Sequence, residues 1–334
     1  MQEGVSLKPY NTFGIDVRAA TFAKFQSIEA LIELLPTIRS TETIISGGGS
    51  NMLFTKNFDG LFAKNCLLGI KEIERTDTTI ILEAGAGEVW HDFVLYCVDN
   101  GYGGLENLSL IPGCVGASPM QNIGAYGTEI KDTFEYLDAL EISTGTMKRF
   151  YLNDCAFGYR ESVFKRELKN QYIICSVAFR LSLNPTVNTS YGVIEAELTA
   201  MGIESPSIKD VSNAVIRIRQ SKLPDPKHLG NAGSFFKNPV VSTAILATIE
   251  QSYENVPSYP ANDGMVKLAA GWLIEKAGWK GKRLGPVGVH ERQALVLVNY
   301  GEGTGSEVYN LSEQIIEDIK QKFGVSLERE VNIY

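Results

Sequence analysis

The chain has 334 residues, 44% of them hydrophobic and 21% charged, with a net charge of −8 at pH 7. This length and composition are typical of a soluble globular protein with two or three domains. The acidic balance argues against a nucleic-acid-binding surface and against an anchor on anionic membranes, while leaving room for a local basic pocket around a phosphorylated ligand.

Periodic apolar residues and turn residues predict helices and strands in an irregular alternation. In the first two thirds of the chain we expect helices over 27–35, 88–100 and 211–218, and strands over 43–45, 79–82, 137–142 and 172–181. Ser27 is the predicted N-cap of the first helix, Gly101 ends the second, and the third ends before Pro224.

The string KLPDPKHLGN, with two prolines and a glycine, predicts a domain boundary over 222–231. Beyond it we expect helices near 241–251 and 266–277, a strand over 294–299, a helix over 304–323 and a closing strand over 325–333. The last helix has the strongest signals, because Thr304 and Glu307 have the spacing of a capping box and an apolar stripe runs up to Gly324. Without a regular βαβ period, these elements predict a mixed α+β fold.

Cysteine and histidine placement argues against disulfides and metal sites. The five cysteines are odd in number and have no C-x-x-C spacing, which is typical of reduced thiols in a cytoplasmic protein. The three histidines are isolated, so we expect no metal.

The N-terminus has no apolar segment typical of a secretory signal, and no run of about eighteen apolar residues predicts a membrane span. We expect a cytoplasmic monomer, because no exposed apolar stripe is left unexplained.

The segment 111–127 (IPGCVGASPMQNIGAYG) contains four glycines and no charged residue. Its backbone can therefore approach a flat or phosphate-bearing group, and ordered loops of this length are usually functional, so we expect a bound cofactor here. The cluster 47–51 (GGGSN) lacks the lysine of a nucleoside-triphosphate loop, and neither 85–87 nor 101–103 continues as a dinucleotide fingerprint. The N–H groups of the cluster could hold a pyrophosphate, with a plain glycine turn as the alternative.

Three further strings contain candidate catalytic groups. Ser234, in NAGSFFKNP, has no neighbouring histidine; it could donate a proton to a basic carbon, with a cap or turn hydroxyl as the common alternative. Arg160 follows a tyrosine and could hold a carboxylate through two hydrogen bonds, although most arginines are solvated. Glu328 and Glu330 should share one strand face, with Arg329 on the other; either could be a buried, protonated carboxyl, although a solvated face is commoner.

Taken in order, these strings resemble the UDP-N-acetylenolpyruvoylglucosamine reductase family, FAD enzymes that complete UDP-N-acetylmuramate for peptidoglycan. The resemblance extends from Tyr10 to Val331, nearly the whole chain. It rests on SGGGSNMLF, IPGCVGASPMQNIGAYG, YRESVFK, KLPDPK, GNAGSFFKNP, AGWLIEKAGWKG and LEREV. Tyr191 followed by Gly192 is similar to the extra tyrosine of type I members, the variety found in many Gram-negative bacteria.

The resemblance implies an FAD-binding fold of the vanillyl-alcohol-oxidase type with an inserted α+β substrate-binding domain. Residues 1–223 would form the FAD-binding region, in two subdomains split near residue 68, and 324–334 would complete it. Residues 224–323 would form the substrate-binding domain. FAD would bind non-covalently, NADPH would donate the hydride, and the other partner would be a nucleotide-sugar.

The resemblance also implies roles for single residues. The catalytic residues would be Arg160, Ser234 and Glu330, with Glu328 as the alternative acid. The cofactor-binding residues would be Gly47, Gly48, Gly49, Ser50, Asn51, Ile111, Pro112, Gly113, Ser118, Ile123, Gly124, Ala125, Tyr126 and Arg219. The substrate-binding residues would be Tyr191, Lys222, Asn238, Tyr259, Lys267 and Gln293.

In the implied reaction, N5 of the reduced flavin passes hydride to the β-carbon of the enolpyruvyl ether. Arg160 and a protonated Glu330 would hydrogen-bond to the charge that accumulates on the substrate carboxylate, and Ser234 would protonate the α-carbon. In their implied roles, Lys222 and Lys267 would supply local positive charge for a diphosphate.

Two alternative functions stay open. An oxidase of the same fold would have no diphosphate to hold, so the two lysines speak against it. A non-catalytic flavin or nucleotide-sugar binder would not need three catalytic candidates together. Cys114 stands in the cofactor segment where a threonine or another small residue would be expected, and a packed, inert thiol is preferred there over a redox-sensitive one.

Overall fold

The computed structural model describes all 334 residues and combines helices with strands. Its seven α-helices are α1 (Ile28–Ser40), α2 (Trp90–Asp99), α3 (Gly192–Ala200), α4 (Ile208–Lys222), α5 (Thr243–Glu250), α6 (Ala270–Lys276) and α7 (Gly305–Phe323). Its twenty strands are β1 (Gln2–Ser6), β2 (Arg18–Phe25), β3 (Thr43–Ser46), β4 (Met52–Leu53), β5 (Phe58–Asn65), β6 (Ile70–Arg75), β7 (Thr79–Gly85), β8 (Gly124–Ala125), β9 (Thr128–Glu129), β10 (Phe134–Glu141), β11 (Met147–Tyr151), β12 (Tyr172–Ser182), β13 (Gly230–Ser234), β14 (Val240–Ser242), β15 (Ser258–Pro260), β16 (Met265–Leu268), β17 (Arg283–Leu284), β18 (Val287–Val289), β19 (Val296–Asn299) and β20 (Asn332–Ile333). None of the helices has the length and apolar character needed to cross a membrane.

Contacts within the chain define two compact units, each made of several segments. The first unit comprises residues 1–5, 19–48 and 59–221, and the second comprises 6–18, 49–58 and 222–334. The last segment of the first unit ends at residue 221, directly before the predicted boundary segment 222–231. The C-terminal residues 324–334 lie in the second unit, because they pair with 52–53 and 235–237 of that unit.

The first unit contains a four-stranded sheet in the order β1-β2-β5-β3, which shares an apolar cluster with helix α1. Ser27 caps the helix as predicted, since its Oγ accepts a hydrogen bond from Ala30 N at 3.2 Å. The helix continues past the predicted end at Leu35 to Ser40, because Ile38 is also buried in the cluster.

A five-stranded antiparallel sheet in the order β11-β10-β12-β7-β6 forms the main core of the first unit with helix α2. Trp90 and Phe179 are almost fully buried, and their ring centroids lie 5.7 Å apart. Helix α2 begins at Trp90, later than predicted, because the preceding residues are engaged elsewhere: Glu88 O accepts from Val115 N at 2.9 Å, and Val89 bridges Cys114.

The second unit contains a four-stranded sheet in the order β13-β19-β18-β17 and a three-stranded sheet in the order β14-β16-β15. The predicted helix over 266–277 is wrong in its first part, because residues 265–268 form the central strand β16. Hydrogen bonds to strands on both sides outweigh the local helical pattern there. The predicted closing strand over 325–333 is regular only at 332–333, where β20 runs parallel to β4.

Helix α7 follows its sequence prediction. Thr304 Oγ1 accepts from Glu307 N at 3.2 Å, and Glu307 Oε2 accepts from Thr304 N at 2.7 Å, which is the reciprocal bonding of a capping box. The predicted apolar stripe is buried at Val308, Leu311, Ile315 and Ile319. Gly324 ends the helix with a left-handed φ of 66°.

Gly305, the first residue of α7, has no room for a side chain. An ideal Cβ there would lie 1.6 Å from the carbonyl oxygen of Phe54, whereas a Cβ on Gly192, the first residue of α3, would meet nothing within 4 Å. We expect Gly305→Ala to lower the free energy of unfolding by about 1–3 kcal/mol or more. Gly192→Ala should leave it unchanged or raise it by up to about 1 kcal/mol. Urea unfolding of both variants checks this, and equal stabilities would contradict the close approach at Gly305.

Candidate active site

Two glycine loops of the first unit touch each other backbone to backbone. An ideal Cβ on Gly48 would lie 2.9 Å from the Cα of Gly113, and one on Gly47 would lie 3.0 Å from the Cβ of Cys114. Lys64, on strand β5, donates a hydrogen bond to the carbonyl oxygen of Gly47. The start of the cluster 47–51 and the predicted cofactor segment are therefore neighbours, and only glycine fits at position 48 without moving them.

The segment 111–127 is held in place by hydrogen bonds. Ser118 is buried, and its hydroxyl donates to the carbonyl oxygen of Val115 at 2.7 Å. The side-chain amide of Asn122 donates to Glu129 Oε2 at 3.0 Å and to the carbonyl oxygen of Gly158 at 3.1 Å. Burial raises the pKa of the Cys114 thiol, which agrees with an inert thiol and not with a redox-sensitive one.

Tyr126 and Arg219 form a polar group inside the first unit. The Tyr126 ring meets the Tyr191 ring edge-on, with the centroids 5.6 Å apart. Arg219 hydrogen-bonds to the Tyr126 hydroxyl and donates through Nε to the carbonyl oxygen of Leu110 at 3.2 Å. Burial lowers the pKa of Arg219, and the positive charge of Arg160 lowers it further. Two guanidinium groups that repel each other in a partly buried place favour binding of an anion.

Arg160 lies in a strained turn. It is a non-glycine residue with a left-handed φ of 54°, and its Nη2 donates to the carbonyl oxygen of Gly124 at 2.6 Å. Lys165 Nζ donates to the carbonyl oxygen of Arg160 at 3.1 Å. The next residue, Glu161, has a buried carboxylate oxygen, Oε1, with no hydrogen-bond partner in the chain. Backbone strain and an unsatisfied buried acceptor are typical of a site whose ligand completes the hydrogen bonding.

Ser234, in the second unit, ends strand β13 with an available hydroxyl. The residue is exposed, and its hydroxyl neither caps a helix nor accepts or donates a hydrogen bond within the chain. The next two residues, Phe235 and Phe236, are 0% and 1% exposed and anchor the backbone that carries the serine. Glu330 N donates to the carbonyl oxygen of Phe235 at 2.9 Å, so the structure brings Glu330 beside the strand of Ser234.

The two glutamates of the C-terminal segment have different surroundings. Glu328 forms an ion pair with Lys237 at 3.0 Å, and 76% of its side chain is exposed. Glu330 is partly buried. The backbone pairing continues on both sides, because Lys237 N donates to Glu328 O at 2.9 Å and Arg329 bridges Phe236.

The end of the cluster 47–51 belongs to the second unit. An ideal Cβ on Gly49, whose φ is 66°, would lie 2.0 Å from the carbonyl oxygen of Tyr10. The Asn51 side-chain amide donates to the carbonyl oxygen of Glu330 at 3.3 Å, and the Asn332 amide donates to Asn51 O at 2.9 Å. One end of the predicted pyrophosphate cluster is therefore tied to the segment that carries Glu330.

Three predicted substrate-binding residues lie on or beside one small sheet. Tyr259 in β15 is directly opposite Lys267 in β16, and Lys267 is also opposite Val240 in β14. Asn238 precedes β14, and its Oδ1 accepts a hydrogen bond from Ala270 N at 3.0 Å. The other three lie elsewhere: Gln293 before β19, Lys222 at the end of α4, and Tyr191 in the first unit.

The sequence predictions missed two residues at these places. Lys64 reaches Gly47 because β3 and β5 pair in parallel with Ser46 opposite Lys64, and no sequence motif signals that pairing. Glu161 directly follows Arg160 in the string YRESVFK, and its place next to a candidate catalytic residue was the only sequence signal that could have pointed to it.

Comparison with known proteins identifies the family. Residues 225–334 match the family described as UDP-N-acetylenolpyruvoylglucosamine reductase, C-terminal domain, and 19–151 match the family described as FAD binding domain. Over its whole length the chain is 52% identical to UDP-N-acetylenolpyruvoylglucosamine reductase of Flavobacterium johnsoniae, covering 99% of that protein. The chain belongs to the UDP-N-acetylenolpyruvoylglucosamine reductase family. A relative of the same name from Pseudomonas savastanoi is 50% identical, with all of this chain and 99% of that protein covered.

A solved structure shares the fold of this family member. It is UDP-N-acetylenolpyruvylglucosamine reductase from Thermus caldophilus, with a TM-score of 0.69 at 21% identity, over 99% of this chain and 98% of that chain. The predicted family and the predicted α+β fold with an FAD-binding domain are confirmed. The match over 19–151 includes both glycine loops.

The residues of the first unit fit FAD. The loops touch at Gly48 and Gly113 with no room for a Cβ atom between them, and the backbone N–H groups of such glycine turns suit a pyrophosphate. Arg219 supplies positive charge at Leu110, the residue before the segment 111–127, and Glu161 Oε1 is a buried acceptor that lacks a donor. Side chains of this reductase-family chain could therefore satisfy the charge and the hydrogen-bonding groups of the cofactor.

Because Gly48 touches Gly113, we expect Gly48→Ala to separate the two loops. About 1–3 kcal/mol of overpacking strain corresponds to a loss of about tenfold or more in FAD affinity. Fluorescence titration of the flavin-free protein with FAD measures this, with Gly192→Ala as the control because its added methyl group meets no atom within 4 Å. An unchanged FAD affinity in Gly48→Ala would show that the loops do not form the cofactor site.

Proposed function

We propose that this protein reduces the enolpyruvyl ether of UDP-N-acetylglucosamine-enolpyruvate to UDP-N-acetylmuramate, with NADPH as hydride donor and FAD as non-covalent cofactor. The full-length identity of 52% to a reductase of this name carries the proposal. The product is a peptidoglycan precursor, so the protein would serve cell-wall biogenesis, and through it cell shape and division. It would act in the cytoplasm as a monomer.

The proposed cofactor-binding residues act mainly through their backbone. When bound and reduced by NADPH, FAD supplies the hydride that adds to the β-carbon of the substrate. Residues 47–51 would hold the pyrophosphate with N–H groups, and 111–126 would line the rest of the cofactor. Arg219, fixed by Tyr126 and by Leu110 O, would add positive charge. Because these groups are ordered beforehand, binding has a smaller entropic cost.

Arg160 and Glu330 would hold the substrate carboxylate. Hydride addition to the β-carbon leaves negative charge on the α-carbon, and this charge spreads onto the carboxylate. The guanidinium can donate two hydrogen bonds to that group, and a protonated Glu330 can donate a third. Donors that are fixed before the charge develops stabilise the transition state more than the ground state. The strained φ of Arg160 and the partial burial of Glu330 support these roles.

Ser234 would donate the proton that completes the reaction. A serine hydroxyl is a weak acid, but a carbanion-like α-carbon is basic enough to take its proton. The exposed hydroxyl without an intramolecular hydrogen bond supports this role. The bond from Glu330 N to Phe235 O supports it too, because that bond fixes the backbone next to the serine relative to Glu330.

The substrate-binding residues would surround the nucleotide-sugar diphosphate. The lysines at 222 and 267 would offset its negative charge in a chain of net charge −8. The direct pairing of Tyr259 with Lys267, with Asn238 close by, supports a shared role for these three. Gln293 would contact the same substrate, and Tyr191 would make this a type I member.

We expect Ser234→Ala to leave the bleaching of the flavin by NADPH at the wild-type rate, because the hydroxyl takes no part in that step. Re-oxidation of the reduced flavin by the enolpyruvyl nucleotide-sugar should slow by about 10²–10⁴-fold or more, as for a missing general acid. Anaerobic stopped-flow absorbance follows both steps. Near-normal re-oxidation would mean that another group protonates the α-carbon. Wild-type flavin that regains colour only in air would support an oxidase.

Glu330→Gln and Glu328→Gln form a matched pair that tests which glutamate is the acid. An amide cannot replace a carboxylic acid as a strong hydrogen-bond donor, so Glu330→Gln should lower kcat by about 10²–10³-fold. Glu328→Gln should stay near the wild-type value, because it loses only an exposed ion pair with Lys237. Steady-state kinetics of both variants decide, and the reverse result would assign the acid to Glu328.

A further inference from the structure

The Arg329 side chain is bound by one turn of helix α7. Its Nε donates to Ser312 Oγ at 2.8 Å, its Nη2 donates to Glu313 Oε1 at 2.5 Å, and its guanidinium carbon lies 4.5 Å from the centroid of the Tyr309 ring. Ser312 and Glu313 follow Tyr309 by three and four residues, so both lie next to it on the helix surface. Only 19% of the Arg329 side chain is exposed.

The partners of Arg329 are themselves fixed. Ser312 is fully buried and uses its hydroxyl proton in a bond to the carbonyl oxygen of Tyr309 at 2.6 Å, so its oxygen is left to accept from Arg329. Hydrogen bonds from Tyr309 and Arg329 lower the pKa of Glu313 and keep its carboxylate charged. Arg329 uses both the N–H donors and the flat face of its guanidinium group, whereas a lysine could supply only the positive charge.

The backbone on both sides of Arg329 positions the proposed acid. Glu330 N bonds to Phe235 O and Lys237 N bonds to Glu328 O, each at 2.9 Å. Regular strand pairing resumes only at residues 332 and 333. A segment with so few ladder bonds needs other anchors to stay ordered, and the Arg329 contacts with α7 are such an anchor.

We propose that Arg329 is a positioning residue for the reduction, which acts through Glu330 and touches neither substrate nor cofactor. Its contacts with α7 fix the segment 328–330, and that segment fixes the Glu330 carboxyl relative to the backbone of Ser234. This inference rests on the proposed function. A misplacement of catalytic groups by about 1 Å costs about 100-fold in rate. The Glu313 side chain is 50% exposed, so its ion pair with Arg329 adds less to stability than a buried pair would. Loss of Arg329 should therefore affect catalysis more than folding.

The test compares Arg329→Ala with Arg149→Ala, both as FAD-loaded protein. Arg149 is a matched control because it bonds to Asp138 at 2.7 and 2.8 Å and its guanidinium carbon lies 3.6 Å from the centroid of the Tyr136 ring, in the first unit. Arg329→Ala should slow re-oxidation by the enolpyruvyl nucleotide-sugar by about 10- to 100-fold and leave bleaching by NADPH unchanged. Arg149→Ala should change neither step, and the Tm of both variants should be measured to separate a loss of stability from a loss of rate.

Two further variants separate positioning from general damage. Ser312→Ala removes one bond to Arg329 and should slow the same step by a smaller factor in a protein that folds normally. Arg329→Lys restores the charge facing Glu313 and should recover part of the rate. The pH–rate profile of re-oxidation should shift in Arg329→Ala and not in Arg149→Ala, because only the former displaces Glu330.

Wild-type re-oxidation rates in both Arg329→Ala and Ser312→Ala, or equal slowing of both half-reactions, would overturn this inference and leave the proposed function intact. A wild-type protein whose reduced flavin does not respond to the enolpyruvyl nucleotide-sugar would overturn the proposed function and this inference with it.

Discussion

The backbone pairing of residues 328–330 with 235–237 is the constraint on which the second unit's part of the proposed site depends. It joins the C-terminal segment to the strand that ends at Ser234, and it passes through the carbonyl oxygen of Phe235. The buried side chains of Phe235 and Phe236 anchor the segment 235–237, and helix α7 anchors the segment 328–330 through Arg329. A serine hydroxyl and a carboxyl that lie far apart in sequence are thus carried by two paired backbone segments, which suits the proton transfer at carbon proposed for this site.

The first unit uses a different physical principle. Glycine at position 48 lets two loops meet without side chains between them. In the proposed site, the backbone N–H groups of these loops would hold the cofactor. Arg219 and Arg160 bring two positive charges near each other. Burial lowers the pKa of Arg219, Tyr126 opposes this shift, and the charge of Arg160 adds to it. An acidic chain can therefore attract anionic ligands locally while its net charge stays negative.

Sequence patterns predicted the elements whose signals are local. Helix α7 was predicted from its capping box and apolar stripe, and α1 from the Ser27 cap. Strand β16 and the C-terminal segment were mispredicted because non-local pairing decides their structure, and non-local pairing leaves no periodic signal. For the same reason, residues 6–18 and 49–58 were not expected in the second unit.

The same difference between local signals and non-local contacts applies to the proposed site. Ser234, Arg160 and Glu330 could be singled out from short strings and their resemblance to a family. The bond from Lys64 to Gly47 and the contacts of Arg329 with Ser312 and Glu313 could not, because each joins residues brought together only by folding.

The central claim is that Ser234 and Arg160 act on the same enolpyruvyl group. A crystal structure of the FAD-loaded protein with the enolpyruvyl nucleotide-sugar tests it most directly. The account predicts Ser234 Oγ within about 3.5 Å of the α-carbon and an Arg160 guanidinium nitrogen at hydrogen-bonding distance from the substrate carboxylate. A substrate bound with either side chain pointing away from the enolpyruvyl group would contradict it.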